Sequence, residues 1–167
     1  MLIRDETHGD ADAVYAVVCS AFGQPAEARL VRDLHAAGDA VIALVAEDER
    51  HVIGHVLLSR LAAPFPALAL APVSVSPGRQ GTGIGSALVR EALRRAADDR
   101  WLAVFVLGDP SYYRRFGFSV AAASGFSSPY AGDHFMGLAL SGTMPAAMGA
   151  LRHAPAFRGE SPPTHTS

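Results

Sequence analysis

The chain has 167 residues, 50% of them hydrophobic and 18% charged, which suffices for a sizeable core and argues against wholesale disorder. Its formal net charge of -2 gives no electrostatic reason to expect nucleic acid as the main partner, because phosphate neutralisation requires a basic excess. The single cysteine, Cys19, cannot form an internal disulfide.

The start of the chain lacks the charged-then-apolar pattern of a signal peptide, and no later apolar run approaches the roughly 20 residues of a membrane span. We therefore expect a cytoplasmic protein with no membrane partner. Residues 2–4 predict a short strand, and a helix capped by Asp10 or Asp12 is expected to run to about Phe22. A second helix is predicted over residues 27–36.

Two apolar runs, residues 41–47 and 52–61, surround a short charged turn and predict an antiparallel hairpin. The next apolar run, residues 68–75, contains Pro72, which cannot donate a hydrogen bond to a sheet. We therefore expect this strand to be bulged or splayed near Pro72. After a glycine-rich segment, apolar residues at helical spacing predict the inward side of a long helix: Ile84, Leu88, Leu93 and Ala96.

The second half of the chain contains shorter elements. Residues 102–107 form an apolar run typical of a central strand, and a short helix over residues 110–116 follows, which Asp109 can cap. The remaining predictions are the start of a strand at 118–121, a loop at 124–133, strands at 135–140 and 150–153, and a loose tail at 159–167. This order predicts an α/β (α+β) protein with one domain over residues 1–158, built around a single sheet.

The densest functional signal joins the strand that ends at Val75 to the long helix, and it reads Ser76-Pro77-Gly78-Arg79-Gln80-Gly81-Thr82-Gly83-Ile84-Gly85-Ser86. Glycines allow positive φ and let a ligand approach the main chain closely. The first amides of a helix have no internal acceptors, and the helix dipole adds partial positive charge there. The segment therefore predicts a phosphate or pyrophosphate site. The alternative is that the glycines only permit a tight turn.

Glycine spacing separates the candidate phosphate motifs. A P-loop requires lysine and then serine or threonine after its last glycine, whereas Gly85 is followed by Ser86-Ala87. The dinucleotide fingerprint needs two residues between its second and third glycines, but Gly81, Gly83 and Gly85 are evenly spaced by two. The segment beginning at Gln80 matches [Gln/Arg]-x-x-Gly-x-[Gly/Ala], and it resembles the cofactor loop of the GNAT superfamily of N-acetyltransferases.

A second segment, Tyr112-Tyr113-Arg114-Arg115-Phe116-Gly117-Phe118, resembles the aromatic-Tyr-x-x-x-Gly-Phe landmark of the same superfamily. The resemblance implies that Tyr113 protonates the departing CoA thiolate, which is reasonable for a phenol with a pKa near 10. The alternative is that Tyr113 is a core residue whose hydroxyl bonds to a neighbour. The chain departs from many members at Val106, where they carry asparagine.

The resemblance extends over nearly the whole chain and is strongest to a bacterial GNAT branch labelled YhbS-like. It implies a central mixed, mostly antiparallel sheet flanked by helices, with a splayed strand pair near Pro72, and acetyl-CoA as acyl donor. By resemblance, the backbone of Val73 and Val75 binds pantetheine, the amides of residues 80–86 bind the pyrophosphate, and Arg79 contacts a phosphate. The implied cofactor-binding residues are Val73, Ser74, Val75, Arg79, Gln80, Gly81, Thr82, Gly83, Ile84, Gly85 and Ser86.

Direct attack by an amine on the thioester is the reaction that the resemblance implies. The amine must lose a proton, and Glu27 or Glu47 is the candidate base, although each is also a reasonable surface carboxylate. The seven histidines show no metal-ligand spacing, so no metal is expected. A homodimer is expected only by analogy. Two alternatives stay open, a non-catalytic acyl-CoA sensor and an interaction module without a cofactor.

Overall fold

The structure, a computed structural model, describes residues 1–158 and contains one large β-sheet with helices on both faces. The strands are β1 (Leu2–Asp5), β2 (Ala40–Asp48), β3 (His51–Ala62), β4 (Ala67–Val75), β5 (Ala103–Leu107), β6 (Phe126–Ser127), β7 (Phe135–Ala139), β8 (Gly149–Ala150) and β9 (Arg152–His153). The helices are α1 (Ala11–Phe22), α2 (Ala26–Ala36), α3 (Ile84–Asp98), α4 (Pro110–Tyr113) and α5 (Val120–Ala123). None of these helices is both long and apolar enough to cross a bilayer.

The large sheet has the strand order β1-β2-β3-β4-β5-β7, and β9 pairs with the far end of β3. Its neighbouring strands are antiparallel except for β4 and β5, which are parallel and are joined through α3. The predicted mixed, mostly antiparallel sheet flanked by helices is confirmed. The predicted hairpin is confirmed as β2 and β3, whose turn places Glu49 and Arg50 at φ values of 48° and 66°.

Strand β4 lies in the middle of the sheet, and all nine of its residues are buried. Its pairing with β3 shifts register between Val56 and Leu58, opposite Pro72. Its pairing with β5 extends from Ala67 only to Leu70. The predicted irregularity is therefore confirmed: the β3–β4 register shifts opposite Pro72, and the pairing of β4 with β5 ends two residues before it.

Two apolar layers cover the two faces of the sheet. Helix α3 packs on one face through its buried side chains, which include Ile84 and Leu88. Gly54 of β3 permits this approach, since a Cβ there would lie 3.0 Å from Leu88 Cδ1 and 3.2 Å from Ser74 O. On the other face, α1 and α2 pack through valines and leucines on Val45, Leu57 and Ala71 of the sheet.

The prediction that Asp10 or Asp12 caps α1 through its carboxylate is wrong. Asp10 immediately precedes the helix, but its carboxylate accepts hydrogen bonds from Arg4 at 2.8 and 3.0 Å and from the Thr7 N–H at 2.7 Å. The bond from Arg4 outweighs the effect of burial and holds the pKa of Asp10 far below its usual range. The charge-assisted hydrogen bonds from Arg4 occupy the Asp10 oxygens that would otherwise cap α1.

The strand predicted to start at residues 118–121 is also wrong. Residues 120–123 form α5 instead, because the Ser119 hydroxyl accepts from the Ala122 N–H at 3.1 Å and caps a short alanine-rich turn. In place of a strand, Ser119 forms an isolated bridge with Gly137 of β7. The strand predicted at residues 135–140 is confirmed as β7, and the one at 150–153 divides into β8 and β9. The predicted tail lies outside the described residues.

Candidate active site

The loop between β4 and α3 is fixed by its own side chains. The Gln80 side-chain amide donates to Val75 O at 3.0 Å, and the Thr82 hydroxyl donates to Arg79 O at 2.5 Å. A short 3-10 turn, Pro77–Arg79, precedes these residues. The polar side chains therefore point back into the loop, which leaves its main chain as the surface presented to a ligand.

The glycines of this loop hold positive φ beside open space. Gly81 and Gly83 have φ values of 76° and 89°, and a Cβ at either would meet no atom within 4 Å. Gly83 is the N-cap of α3, and no side chain caps the helix. The first helical bond joins the Ala87 N–H to Gly83 O at 3.0 Å, so the N–H groups before it lie in the turn that lacks helical acceptors. The arrangement is an open, positively polarised cradle for an anion.

A gap in the sheet leads to this cradle. Beyond Leu70, β5 no longer pairs with β4, so one edge of β4 is left without a neighbouring strand. The Ser76 N–H donates to Ile53 O at 2.8 Å, which turns the main-chain groups of Ser76 and Ser74 toward β3. Val73 and Val75 alternate with them and direct their main-chain groups toward the gap. An extended ligand chain could pair with β4 there.

Ser74 differs from its two neighbours. It is fully buried, it pairs with His55 across the β3–β4 ladder, and its hydroxyl makes no hydrogen bond within residues 1–158. The structure therefore brings the main chains of Val73 and Val75 to the gap but turns that of Ser74 toward β3. A cofactor contact by Ser74 stays a prediction.

Arg79 lies at the outer edge of the cradle and pairs with Asp48 of the β2–β3 turn. The two side chains meet at 2.8 Å, and Arg79 is 45% exposed. The hydrogen bond from Arg79 lowers the pKa of Asp48, so the carboxylate is ionised at neutral pH. A phosphate at the cradle would have to compete with Asp48 for this guanidinium.

The two tyrosines of the second landmark lie in the core on the α3 face of the sheet. Tyr113 is 1% exposed and packs at 5.1 to 6.1 Å, between ring centroids, on Tyr112, Phe116 and Phe118. Burial is the main cause that raises the pKa of Tyr113 far above its usual range, and the neighbouring Tyr112 adds a smaller effect. The Tyr113 hydroxyl therefore keeps its proton. The Tyr112 hydroxyl lies 3.1 Å from Ser86 Oγ, which ties α4 to the first turn of α3.

Asp109 caps α4, as predicted. Its carboxylate accepts from the Ser111 N–H at 2.9 Å and from the Ser111 hydroxyl at 2.8 Å. Pro110 occupies the first helical position, where no amide donor is needed. The short link from β5 is thereby held in the geometry that places both tyrosines in the core on the α3 face of the sheet.

The two candidate bases already have partners. Glu27 is buried at the start of α2, and both of its oxygens accept from the Gln24 side-chain amide, at 3.0 and 3.1 Å. Glu47 accepts from Arg4 at 3.1 Å on the β1 side of the sheet. Helix α2 packs on the face of the sheet opposite Tyr113, so the structure does not bring Glu27 against that residue.

Sequence reasoning missed a histidine at the point where the strands separate. A crevice of about 10 Å³ lies between residues 69–71 of β4 and 105–107 of β5, and His153 and Tyr130 form part of its wall. Burial lowers the pKa of His153 to about 4, so the ring is neutral at physiological pH. No local motif marks His153, because only the pairing of β9 with β3 brings it to this place.

A larger cleft of about 410 Å³ lies between α1 and α2. Glu6 lines it and accepts hydrogen bonds from two imidazoles, His55 at 2.6 Å and His35 at 3.0 Å. Burial alone would raise the pKa of Glu6, but these two bonds outweigh it and lower the pKa to about 2. The hydrogen bond between Glu6 and His35 also raises the pKa of His35. Within residues 1–158 no group of three or more histidine, cysteine or acidic side chains is arranged to hold a metal ion.

Glu6→Gln is expected to lower the free energy of unfolding by roughly 1–3 kcal/mol near pH 6, because buried His55 loses its charged partner. Glu6 stabilises the fold above its unfolded pKa of 4.5, and this contribution is lost as pH falls toward 2. His35 contributes below its unfolded pKa of 6.5 and loses its contribution as pH rises through its raised value. Urea unfolding from pH 3 to 9 should show the largest difference between pH 4.5 and 6.5. Exposed Glu49→Gln is the control, and a pH-independent difference would contradict the assignment.

The chain is similar in sequence and in fold to known proteins. Residues 11–118 match the model of the acetyltransferase (GNAT) family. An uncharacterized N-acetyltransferase of Escherichia coli K12, YhbS, is 40% identical over 126 residues, which are 73% of this chain and 75% of YhbS. The crystal structure of E. coli YhbS in complex with CoA superposes with a TM-score of 0.86 at 32% identity, covering 93% of this chain and 91% of that one. A Brucella melitensis GNAT acetyltransferase in complex with acetyl-CoA has a TM-score of 0.81 at 34% identity, covering 93% and 97%.

Proposed function

Because the chain belongs to the GNAT family of acetyltransferases, we propose that it moves an acetyl group from acetyl-CoA to an amine by direct attack on the thioester. One observation carries the proposal: the open edge of β4 is followed, after a short turn, by a helix N-terminus that no side chain caps and that two positive-φ glycines precede. The first feature suits an extended amide-containing chain and the second a diphosphate. CoA combines both.

Each part of the cofactor has a place in this arrangement. The amides of Val73 and Val75 would pair with pantetheine as an added strand, and those of residues 80–86 would bind the pyrophosphate. Arg79 would exchange Asp48 for a phosphate oxygen at the edge of the loop. The solved complexes of two relatives with CoA and acetyl-CoA support this assignment.

The reaction needs few groups from the protein. A neutral amine attacks the thioester carbon, the new C–N bond forms as the C–S bond breaks, and the amine gives up a proton. The Val73 N–H would polarise the thioester carbonyl, a contribution of roughly 2.7–4 kcal/mol in other acyl-transfer enzymes. Tyr113 would donate a proton to the departing thiolate and regain one from solvent; burial keeps its hydroxyl protonated but also makes it a weaker acid than a free phenol. Residues 1–158 would act as one domain in the cytoplasm, and pairing into a homodimer stays a prediction.

Calorimetry and a thiol-release assay test the proposal. We expect saturable binding of acetyl-CoA, and CoA release that rises with at least one member of a panel of benzylamine, spermidine, L-methionine, kanamycin and a peptide with a free amino terminus. Absence of binding at millimolar acetyl-CoA would reject the cofactor site. Tight binding without CoA release for any amine would favour the alternative of an acyl-CoA sensor.

A further inference from the structure

We propose that His153 accepts the proton that the attacking amine loses, an inference that rests on the proposed acetyl transfer. The observation behind it is the position of the ring. His153 forms part of the wall of the crevice where β4 and β5 separate, together with Ala69 and Ala71 on β4 and Phe105 on β5. The thioester end of the cofactor would reach this point of the gap.

The two sides of the gap carry different chemistry. Tyr113 belongs to the apolar layer on the α3 face, together with Val73 and Val106. The crevice with His153 adjoins the layers on the opposite face, which contain Ala71 and Phe105. At about 10 Å³ the crevice has room for about one water molecule, which would carry the proton to His153 from an amine at the crevice mouth. The amine would attack from this face, and the thiolate would depart beside Tyr113. The proton donor and the proton acceptor are therefore separate groups.

The ring of His153 is held in place by named contacts. Its Nε2 lies 3.1 Å from Ser128 Oγ, and this oxygen accepts from the Tyr130 N–H at 3.1 Å. Tyr130 packs edge-on against the imidazole with a centroid distance of 4.7 Å, and Phe157 does so at 5.8 Å. Ser128 engages Nε2, which leaves Nδ1 as the nitrogen for an incoming amine. A hydroxyl both donates and accepts, so Ser128 can partner the neutral ring and the protonated ring.

The surroundings favour a neutral imidazole before the reaction. Burial disfavours its charged form, and the crevice walls on β4 and β5 contribute alanine, leucine, valine and phenylalanine without a carboxylate. The same apolar walls favour the neutral form of the amine, which is the nucleophile. As the C–N bond forms, positive charge develops on nitrogen, the proton passes through one water to Nδ1, and the Nε2–H donates to Ser128. Solvent then removes the proton from the imidazole.

The other candidate bases are less well placed in the described structure. Glu27 is occupied by Gln24, and Glu47 is paired with Arg4 beside β1. No carboxylate lines the crevice within residues 1–158. Among the described residues that line the crevice between β4 and β5, the titratable side chains are therefore His153 and Tyr130.

The experiment combines ring spectroscopy with kinetics. In a long-range ¹H–¹⁵N spectrum of the wild-type histidine rings, acetyl-CoA should shift the nitrogens of His153 but not those of exposed His51. With the best amine of the panel above, His153→Gln should lower kcat about 100-fold while the acetyl-CoA Kd changes less than threefold. His51→Gln should retain wild-type kcat. Imidazole added to His153→Ala should restore part of the lost turnover, which a purely structural role would not allow.

The outcomes separate the two proposals. A wild-type protein that neither binds acetyl-CoA nor acetylates any amine of the panel overturns the proposed function. A wild-type protein that does both, with His153→Gln within threefold of its kcat, overturns the role of His153 alone. Unchanged His153 resonances on addition of acetyl-CoA also overturn that role, and this measurement does not depend on whether a variant folds.

Discussion

Gly83→Asp is expected to weaken acetyl-CoA binding by at least about 100-fold. Gly83 stands at the N-cap of α3 with open space where its side chain would be, so an aspartate there would point into the space assigned to the pyrophosphate. Two unit charges about 4 Å apart near a protein surface repel by about 4 kcal/mol, which corresponds to nearly 1,000-fold in affinity. Titration calorimetry with acetyl-CoA measures the effect directly.

Gly38→Asp is the matched control for this experiment. Gly38 has φ +75°, compared with +89° at Gly83, and a Cβ at either position meets no atom within 4 Å. Both variants therefore carry the same added charge and a similar backbone strain, but Gly38 lies between α2 and β2, outside the loop. Its variant should bind acetyl-CoA like the wild type. Equal affinities for the two variants would show that the pyrophosphate does not bind at the α3 N-terminus.

Tyr113→Phe is expected to lower kcat about 100-fold and to leave the Kd for acetyl-CoA unchanged. The substitution keeps the ring, and therefore the contacts with Tyr112, Phe116 and Phe118, and removes only the hydroxyl. A general acid typically contributes 100-fold or more to a proton-transfer step. The loss should be largest at high pH, where solvent protonates the departing thiolate least effectively. Steady-state kinetics from pH 6 to 10 would measure it.

The control is Tyr15→Phe, which removes a phenol hydroxyl from α1 at a ring that packs under Arg32. It should leave kcat and its pH dependence unchanged. If Tyr113→Phe shows wild-type turnover across the whole pH range, Tyr113 is a core residue and the thiolate leaves without its help. A matching loss of stability and of acetyl-CoA binding would likewise point to packing.

Much of the backbone geometry of the proposed cofactor site could be predicted from short stretches of sequence. The alternate glycines permit positive φ, and the proline inside an apolar run lacks an amide donor. The aspartate before Pro110 supplies a side-chain acceptor for the first turn of a helix. These properties operate over a few residues and depend little on the rest of the fold. The glycine turn before α3, the divergence of β4 from β5 and the cap at Asp109 were therefore predicted correctly, whereas pyrophosphate binding by residues 80–86 stays a prediction.

The errors have a common physical cause. Asp10 was expected to cap α1, but Arg4 bonds its carboxylate with a full positive charge. Residues 118–121 were expected to start a strand, but the cap at Ser119 decided the local conformation. In both cases side-chain hydrogen bonds that the sequence pattern does not show, from Arg4 and Thr7 to Asp10 and from Ala122 to Ser119, decided the local structure.

What the sequence by itself determined is the order of most elements, the irregular strand and the glycine turn before α3, for which we propose diphosphate binding. Only the tertiary structure decided which distant side chains meet: Glu6 with His35 and His55, and His153 with the separation of β4 and β5. The reason is that strand register and helix packing set these encounters, and both depend on the whole apolar core. The conformation of a short backbone segment can be predicted from its own residues, whereas a side-chain pair across the sheet forms only once the core has formed.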